Sequence, residues 1–310
     1  MQTRTVDVAV IGAGTAGMNA RREVEKAGGE PLLIESGPYG TTCARVGCMP
    51  SKLLIAAANR AHAVATADKF GISVGSVQVD GRAVMERVRR YRDRFAGAAV
   101  KTIEALPAKQ RLRGQARFTG PTTLEVDEHT RVEARAVVIA TGASAFLPPP
   151  YAAIREHVLT SDGIFELDDL PASLAIAGTG IIGLELGQAL QRLGVKVTFF
   201  TPAEHIGAVS DPEISAAVSK FFTAELNIHL NTEVTEAEVT RAGIQLTWRN
   251  VDGSKQTGQF EQVLVAAGRR PNLQHLNLAA TGLELNERGL PAWNPTTPQC
   301  GDLPIFMAGD

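Results

Sequence analysis

The chain has 310 residues, 44% of them hydrophobic and 21% charged, which is enough for two domains with sizeable cores and excludes a disordered or fibrous chain. A net charge of -2 and a pI near 6.3 leave no electrostatic footprint for nucleic acid or an anionic membrane, and no apolar run reaches the ~20 residues of a membrane span. Three cysteines are too few for a secreted disulfide framework, and the polar start lacks a signal-peptide pattern, so a cytoplasmic chain with at most a catalytic or transient disulfide is expected.

Val6 to Ile11 reads as a strand, followed by Gly12-Ala13-Gly14-Thr15-Ala16-Gly17, a helical stretch to about Ala27, and a second strand closing in Glu35. The glycines have separate roles in a dinucleotide-binding turn: Gly12 for the turn itself, Gly14 for pyrophosphate approach, and Gly17 for close helix packing. Glu35 lies 23 positions after Gly12, where a carboxylate can accept from a ribose hydroxyl.

Cys43 and Cys48 follow, five positions apart, with Lys52 close behind. On a regular helix their alpha carbons would be roughly 8.6 Å apart, whereas a disulfide needs about 7 Å or less. A bridge therefore requires a break in the helix, for which Gly47 and Pro50 are the residues at hand. Two buried apolar cysteines that never meet are the alternative on spacing alone.

The helix is expected to continue through Leu53 to His62, and a second to run from Arg82 to Glu104 with Val84, Val88, Tyr91 and Phe95 on one face. Its Arg87, Arg89, Arg90, Arg92 and Arg94 read as a solvated face. Strands are predicted over Arg111 to Thr119, Thr123 to Val126 and Val132 to Ile139, and the last leads into Ala140-Thr141-Gly142. Leu147-Pro148-Pro149-Pro150 marks a domain crossing.

The pattern then repeats. A strand over Leu174 to Ala177 precedes Gly178-Thr179-Gly180-Ile181-Ile182-Gly183 and a helix, and Gly194 follows Gly178 by 16 positions as Gly28 follows Gly12. Two dinucleotide-binding units in one chain imply two dinucleotides. Asp211-Pro212 opens a helix predicted to turn Ile214, Val218 and Phe221 or Phe222 inward. Short strands from Ile228 to Phe260 follow, with Ile244, Leu246 and Trp248 alternating around a hairpin turn at Asp252-Gly253. Val263 to Asn272, including Gly268, closes the unit. The expected fold is α/β: two Rossmann-like domains with the second inserted in the first, over 1–147, 148–271 and a return segment 272–310.

The stretch Thr42 to Lys52, both glycine motifs, the Ala-Thr-Gly turn and the closing Gly309-Asp310 together resemble the pyridine nucleotide-disulfide oxidoreductases, the flavoenzyme family of dihydrolipoamide dehydrogenase, glutathione reductase and mercuric reductase. The resemblance implies FAD in the first unit, held by the first glycine motif with Glu35, Thr42, Lys52, Ala140, Thr141, Gly142 and Asp310. It implies a nicotinamide dinucleotide on Gly178, Gly180, Gly183, Thr201 and Gly268. Cys48 would be the thiol beside the flavin and Cys43 the one that exchanges with a small or lipoyl dithiol; Lys52, paired with Glu185, would face the flavin N5. No metal site is read from the sequence.

Thr201 occupies the position of the second ribose-binding acid, Glu204 is three residues on, and no basic residue occurs from Thr198 to Glu204, so NAD is expected over NADP. Gly40-Thr41-Thr42-Cys43 departs from the family's Gly-Gly-Thr-Cys, and Arg45 replaces a usual leucine or asparagine. The family pattern continues well over a hundred residues past Asp310, with a dimer interface and a His-Glu pair. A homodimer is implied for the full-length form, and the expected alternative is a nucleotide-binding fragment without turnover. A mercuric or glutathione reductase-like relative is the other alternative.

Overall fold

The computed structural model describes residues 1–207 and 209–310. The chain divides into one unit made of Met1–Arg45, Arg94–Ser144 and Arg270–Asp310 and a second made of Val46–Asp93 and Ala145–Arg269. The segment Val46–Asp93 groups with the second unit because Leu54, Ala58, Met85 and Val88 enter that unit's core.

The first unit is built on strand Gln2–Ile11, which lies parallel to Pro31–Glu35 on one side and to Thr130–Ile139 on the other. Arg111–Arg113 extends the sheet beyond Pro31–Glu35. Ile305–Met307 joins Thr130–Ile139 in parallel, while Thr123–Val126 and Ala116–Phe118 complete the sheet antiparallel. Because side chains alternate across a strand, Ala9, Ile11, Leu32 and Ile34 pack with Phe118 and Val137 on one face, while Val10 and Leu33 meet Ile103 on the other. Both faces are covered, which is why Pro31 to Ile34 is apolar at every position. The single strand expected from Arg111 to Thr119 is two strands, divided at Gly114. That residue has φ +142°, and an added Cβ would lie 2.3 Å from Asp127 Oδ2.

The second unit holds a five-stranded parallel sheet in the order Asn227–His229, Lys196–Phe200, Ser173–Ala177, Gln262–Val265, Leu159–Thr160. One face, with Leu174, Ile176, Phe199 and Leu264, is packed by the helices Cys48–Ala65 and Ile181–Arg192. The other face, with Ala175, Phe200, Val263 and Val265, is covered by the antiparallel strands Glu233–Thr240, Gly243–Arg249 and Lys255–Phe260. The predicted alternation of Ile244, Leu246 and Trp248 supplies that cover, and all three are buried.

Three expectations are corrected within this unit. In helix Pro212–Thr223, capped by Asp211 through the Ile214 amide at 3.0 Å, the inward positions are Ser215, Val218 and Phe222. Ile214 and Phe221 are 55% and 60% exposed. In helix Gly81–Glu104 the apolar residues that are fully buried are Met85, Val88 and Ile103; Tyr91 and Phe95 are exposed, with Arg87 and Arg90 each 5.3 Å from the Tyr91 ring. Nor are its arginines uniformly solvated: Arg92 is buried and paired with Glu166, Arg89 donates to the Leu167 carbonyl, and Arg87 donates to the Leu53 carbonyl at 3.2 Å. They fasten the helix to its neighbours, and the hydrogen bond to Glu166, chiefly, raises the Arg92 pKa above its ordinary value.

Candidate functional site

The first glycine loop follows the end of Gln2–Ile11 and opens helix Thr15–Lys26. Gly12 has φ +110°, and a Cβ there would lie 2.2 Å from the Ala140 carbonyl oxygen; one on Gly17 would lie 1.8 Å from the Gly12 oxygen. Gly14, at φ -74°, has nothing within 4 Å of a Cβ position. Two glycines thus close the packing between loop, helix and strand, while the middle one keeps open space at the helix N-terminus, as pyrophosphate approach requires.

Glu35 ends its strand beside this loop. Its Oε2 accepts from the Ala13 amide and its Oε1 from the Gly37 amide, both at 2.7 Å. A carboxylate offers about four lone-pair positions, so capacity remains for ribose hydroxyls. Ala140-Thr141-Gly142 leaves the neighbouring strand, with Gly142 at φ +65°. The same end of the sheet receives Gly309, at φ +101°, whose Cβ position is 3.0 Å from the Ala16 side chain. Asp310 follows at once. The carboxyl ends of these parallel strands thus gather an open helix N-terminus, the Glu35 carboxylate and the closing Asp310.

Sequence reasoning missed Asn272. Its amide donates to the Gly142 carbonyl at 2.9 Å, its Nδ2 to the Thr141 carbonyl at 3.1 Å, and its Oδ1 accepts from Ser144 at 2.8 Å. It thereby fixes the Ala-Thr-Gly turn. The available signal was a side-chain amide just after Pro271, a residue type that bonds backbone in turns.

The cysteine stretch is two helices, Thr42–Val46 and Cys48–Ala65, divided at Gly47, whose φ -127° and ψ -116° are non-helical. The break is therefore the glycine's alone. Pro50 lies in the first turn of the second helix, where its missing N–H costs no internal bond. Cys43 is half-buried and Cys48 exposed. Upstream, Thr41 has φ +59°, and its Oγ1 accepts from the Ala44 amide at 3.1 Å. Thr42 is the first residue of the short helix.

Within the second unit, Lys52 Nζ lies 2.6 Å from Glu185 Oε1, joining the second cysteine's helix to the helix after the second glycine loop. Both side chains keep solvent contact, so the pair contributes little to stability. That loop repeats the first. A Cβ on Gly178 would lie 2.6 Å from the Ala266 oxygen and one on Gly183 2.5 Å from the Gly178 oxygen, while Gly180 has open space. Gly268, at φ +113°, has open space as well. Thr201 is buried and its Oγ1 accepts from the Ala203 amide at 3.2 Å. The following turn exposes Glu204 and is tied back through the Gly207 amide to the Thr179 carbonyl at 3.0 Å. Cys300 is fully buried in the first unit's core, where burial pushes its thiol pKa up; it is a packing residue.

Comparison with known proteins gives a consistent result. The model of the pyridine nucleotide-disulphide oxidoreductase family matches residues 6–310. The mercuric reductase of Lysinibacillus sphaericus is 31% identical over 98% of this chain and 55% of its own length. Dihydrolipoyl dehydrogenase 3 of Pseudomonas aeruginosa is 33% identical over 92% of this chain and 62% of its own. The chain thus spans roughly half to two-thirds of these relatives. The solved Cu(II) complex of the HOCl-induced flavoprotein disulfide reductase RclA from Escherichia coli superposes with a TM-score of 0.81 at 24% identity, over 98% of this chain and 65% of the other, which shows a shared fold.

Proposed function

The chain belongs to the pyridine nucleotide-disulphide oxidoreductase family, and from that premise we propose that it passes two electrons between NAD(H) and a dithiol/disulfide substrate through a Cys43–Cys48 disulfide. The observation that carries the reading is the helix break at Gly47, which frees the two cysteines from the helical spacing that would keep them apart. Bound FAD supplies the two-electron relay between the dinucleotide and the sulfurs. Balance is simple: NADH and a proton reduce one disulfide to two thiols, with NAD as the other product.

Each side chain has an assigned task. Cys43 exchanges with the substrate sulfur, and Cys48 closes the internal bond and releases it. Lys52, held by Glu185, provides a fixed cation for the negative charge that reduction brings. Glu35 and Asp310 anchor the FAD nucleotide, with Ala140, Thr141 and Gly142 lining it.

NAD is the proposed dinucleotide. The hydroxyl of Thr201 accepts from its own turn, and the exposed Glu204, three residues on, is the carboxylate that would accept from ribose and repel a 2'-phosphate. The substrate is proposed to be a small or lipoyl dithiol, by likeness to the dihydrolipoyl dehydrogenases, and the working form a homodimer.

The test is NAD-linked oxidation of dihydrolipoamide by the wild-type chain and by Cys43→Ser and Cys48→Ser, with NADP compared by kcat/KM. Turnover lost in both variants, and NAD preferred, supports the proposal. Turnover unchanged in either variant overturns the disulfide role, and a preference for NADP overturns the cofactor assignment. A wild-type chain that binds FAD and is reduced by NADH without oxidising dihydrolipoamide overturns the dithiol assignment for these 310 residues.

A further inference from the structure

We propose that Arg113 is a positioning residue for the flavin nucleotide, acting through Glu35: it holds the turn after that acid, and so the carboxylate itself, in the pose that receives the adenosine ribose. The inference rests on the assignment of FAD to the first unit. Arg113 lies outside every motif that carried that assignment.

Pro31–Glu35 and Arg111–Arg113 run parallel, and Glu35 and Arg113, the last residue of each strand, are direct partners. Partners across a sheet project from the same face, so the guanidinium leaves the sheet on the side of the carboxylate. Beyond Arg113 the Gly114 amide donates to the Glu35 carbonyl at 3.0 Å. Beyond Glu35 the chain runs through Ser36-Gly37-Pro38-Tyr39-Gly40, a stretch without regular structure. Among the described residues, no backbone-to-backbone hydrogen bond reaches these five.

Side chains hold the stretch instead. The Gly37 amide donates to Glu35 Oε1 at 2.7 Å, while Arg113 donates from Nη2 to the Ser36 carbonyl at 3.2 Å and from Nη1 to the Gly37 carbonyl. Gly37 is thus gripped at both ends, its amide by the acid and its carbonyl by the arginine. The guanidinium is itself placed over the Tyr39 ring, 4.6 Å from the centroid, a cation–π contact, and Tyr39 packs against the cluster of Val10, Leu33 and Ile103. Glycine has the most backbone freedom to lose, so without Arg113 the amide that orients Oε1 is held by Glu35 alone. The carboxylate would keep the Ala13 amide on Oε2 and swing about that one contact. Lysine replaces the arginine only in part, because a point charge does not match two carbonyls as a planar fork does.

The full chain, freed of flavin, is titrated calorimetrically with FAD as wild type, Arg113→Gln, Arg113→Lys, Glu35→Gln and the double variant of Arg113→Gln with Glu35→Gln. Arg113→Gln should weaken FAD about tenfold, Arg113→Lys about threefold and Glu35→Gln at least about tenfold. The double variant should bind within about twofold of Glu35→Gln alone, because both changes remove the same contact. Arg113 is exposed, so circular dichroism and the melting temperature of the flavin-free chain should not change in its variants, while melting of the FAD-loaded chain falls with the affinity. FAD affinity unaltered in both Arg113 variants, losses that multiply in the double variant, or flavin-free melting lowered as far as flavin-loaded melting, overturns the inference and leaves Arg113 as a surface tie, with the FAD assignment intact. A wild-type chain that takes up no FAD overturns the FAD assignment and this inference with it.

Discussion

Replacing Thr41 by asparagine should stabilise the protein, although the position lies two residues before Cys43. Thr41 is β-branched and left-handed, at φ +59°, a conformation that costs an L-residue roughly 1–2 kcal/mol. Its hydroxyl offsets part of that cost by accepting from the Ala44 amide at 3.1 Å, a capping contact whose loss to alanine costs about 1 kcal/mol. Asparagine keeps a side-chain oxygen for the Ala44 amide and tolerates the left-handed region, for a net gain of about 1 kcal/mol. Glycine removes the strain but loses the cap and adds unfolded-state entropy of about 0.5–1 kcal/mol, and should fall close to wild type. Alanine keeps the strain and loses the cap, a loss of about 1 kcal/mol. Thermal unfolding of the FAD-loaded variants should give the order Asn, then Gly and Thr together, then Ala, in steps of about 2–4 °C. Asparagine and alanine falling together below wild type would refute the balance of strain against cap.

The glycine loops make a paired prediction. Gly17→Ala should fail to fold or lose several kcal/mol, because its Cβ would lie 1.8 Å from the Gly12 oxygen. Gly14→Ala, with open space around it, should keep native circular dichroism and lose FAD retention, measured by the ratio of flavin to protein absorbance. Glu225 accepts from Arg192 at 2.6 and 3.0 Å, and that contact, chiefly, lowers its carboxyl pKa below the usual 4.5. Its contribution is therefore complete above pH 4.5 and lost as the pH falls through the folded-state value. Glu225→Gln should cost roughly 1–2 kcal/mol near pH 7, a gap that urea unfolding should find closing in more acidic buffer. Lys52→Ala should slow reduction by NADH about tenfold, the equivalent of 1.4 kcal/mol, with an altered reduced-flavin spectrum; an unchanged rate and spectrum would remove the lysine from the account.

Much of the fold was legible because backbone geometry demands particular residues. Gly12 and Gly178 need positive φ, Gly17 and Gly183 have no room for a Cβ, and period-two alternation identifies Ile244, Leu246 and Trp248. In helix Pro212–Thr223, Val218 and Phe222 face inward as read, but Ile214 was misplaced because Ile214 and the buried Ser215 both fit helical spacing beside Val218, and hydrophobicity alone favours the wrong choice. The arginines of Gly81–Glu104 resemble any solvated face until Glu166, 74 residues away, is seen beside Arg92. Pro50 was assigned to the break on general grounds, yet a proline in a helix's first turn is harmless, and Gly47 carries the bend. Asn272 was invisible because its partners lie about 130 residues earlier.

The absorbance spectrum of the purified protein, recorded before and after anaerobic addition of NADH, tests the account most directly. A flavin spectrum that changes on reduction to show a long-wavelength thiolate-to-flavin band, lost in Cys48→Ser, is the predicted result. A colourless protein, or a flavin that NADH reduces with no difference between wild type and Cys48→Ser, would contradict it.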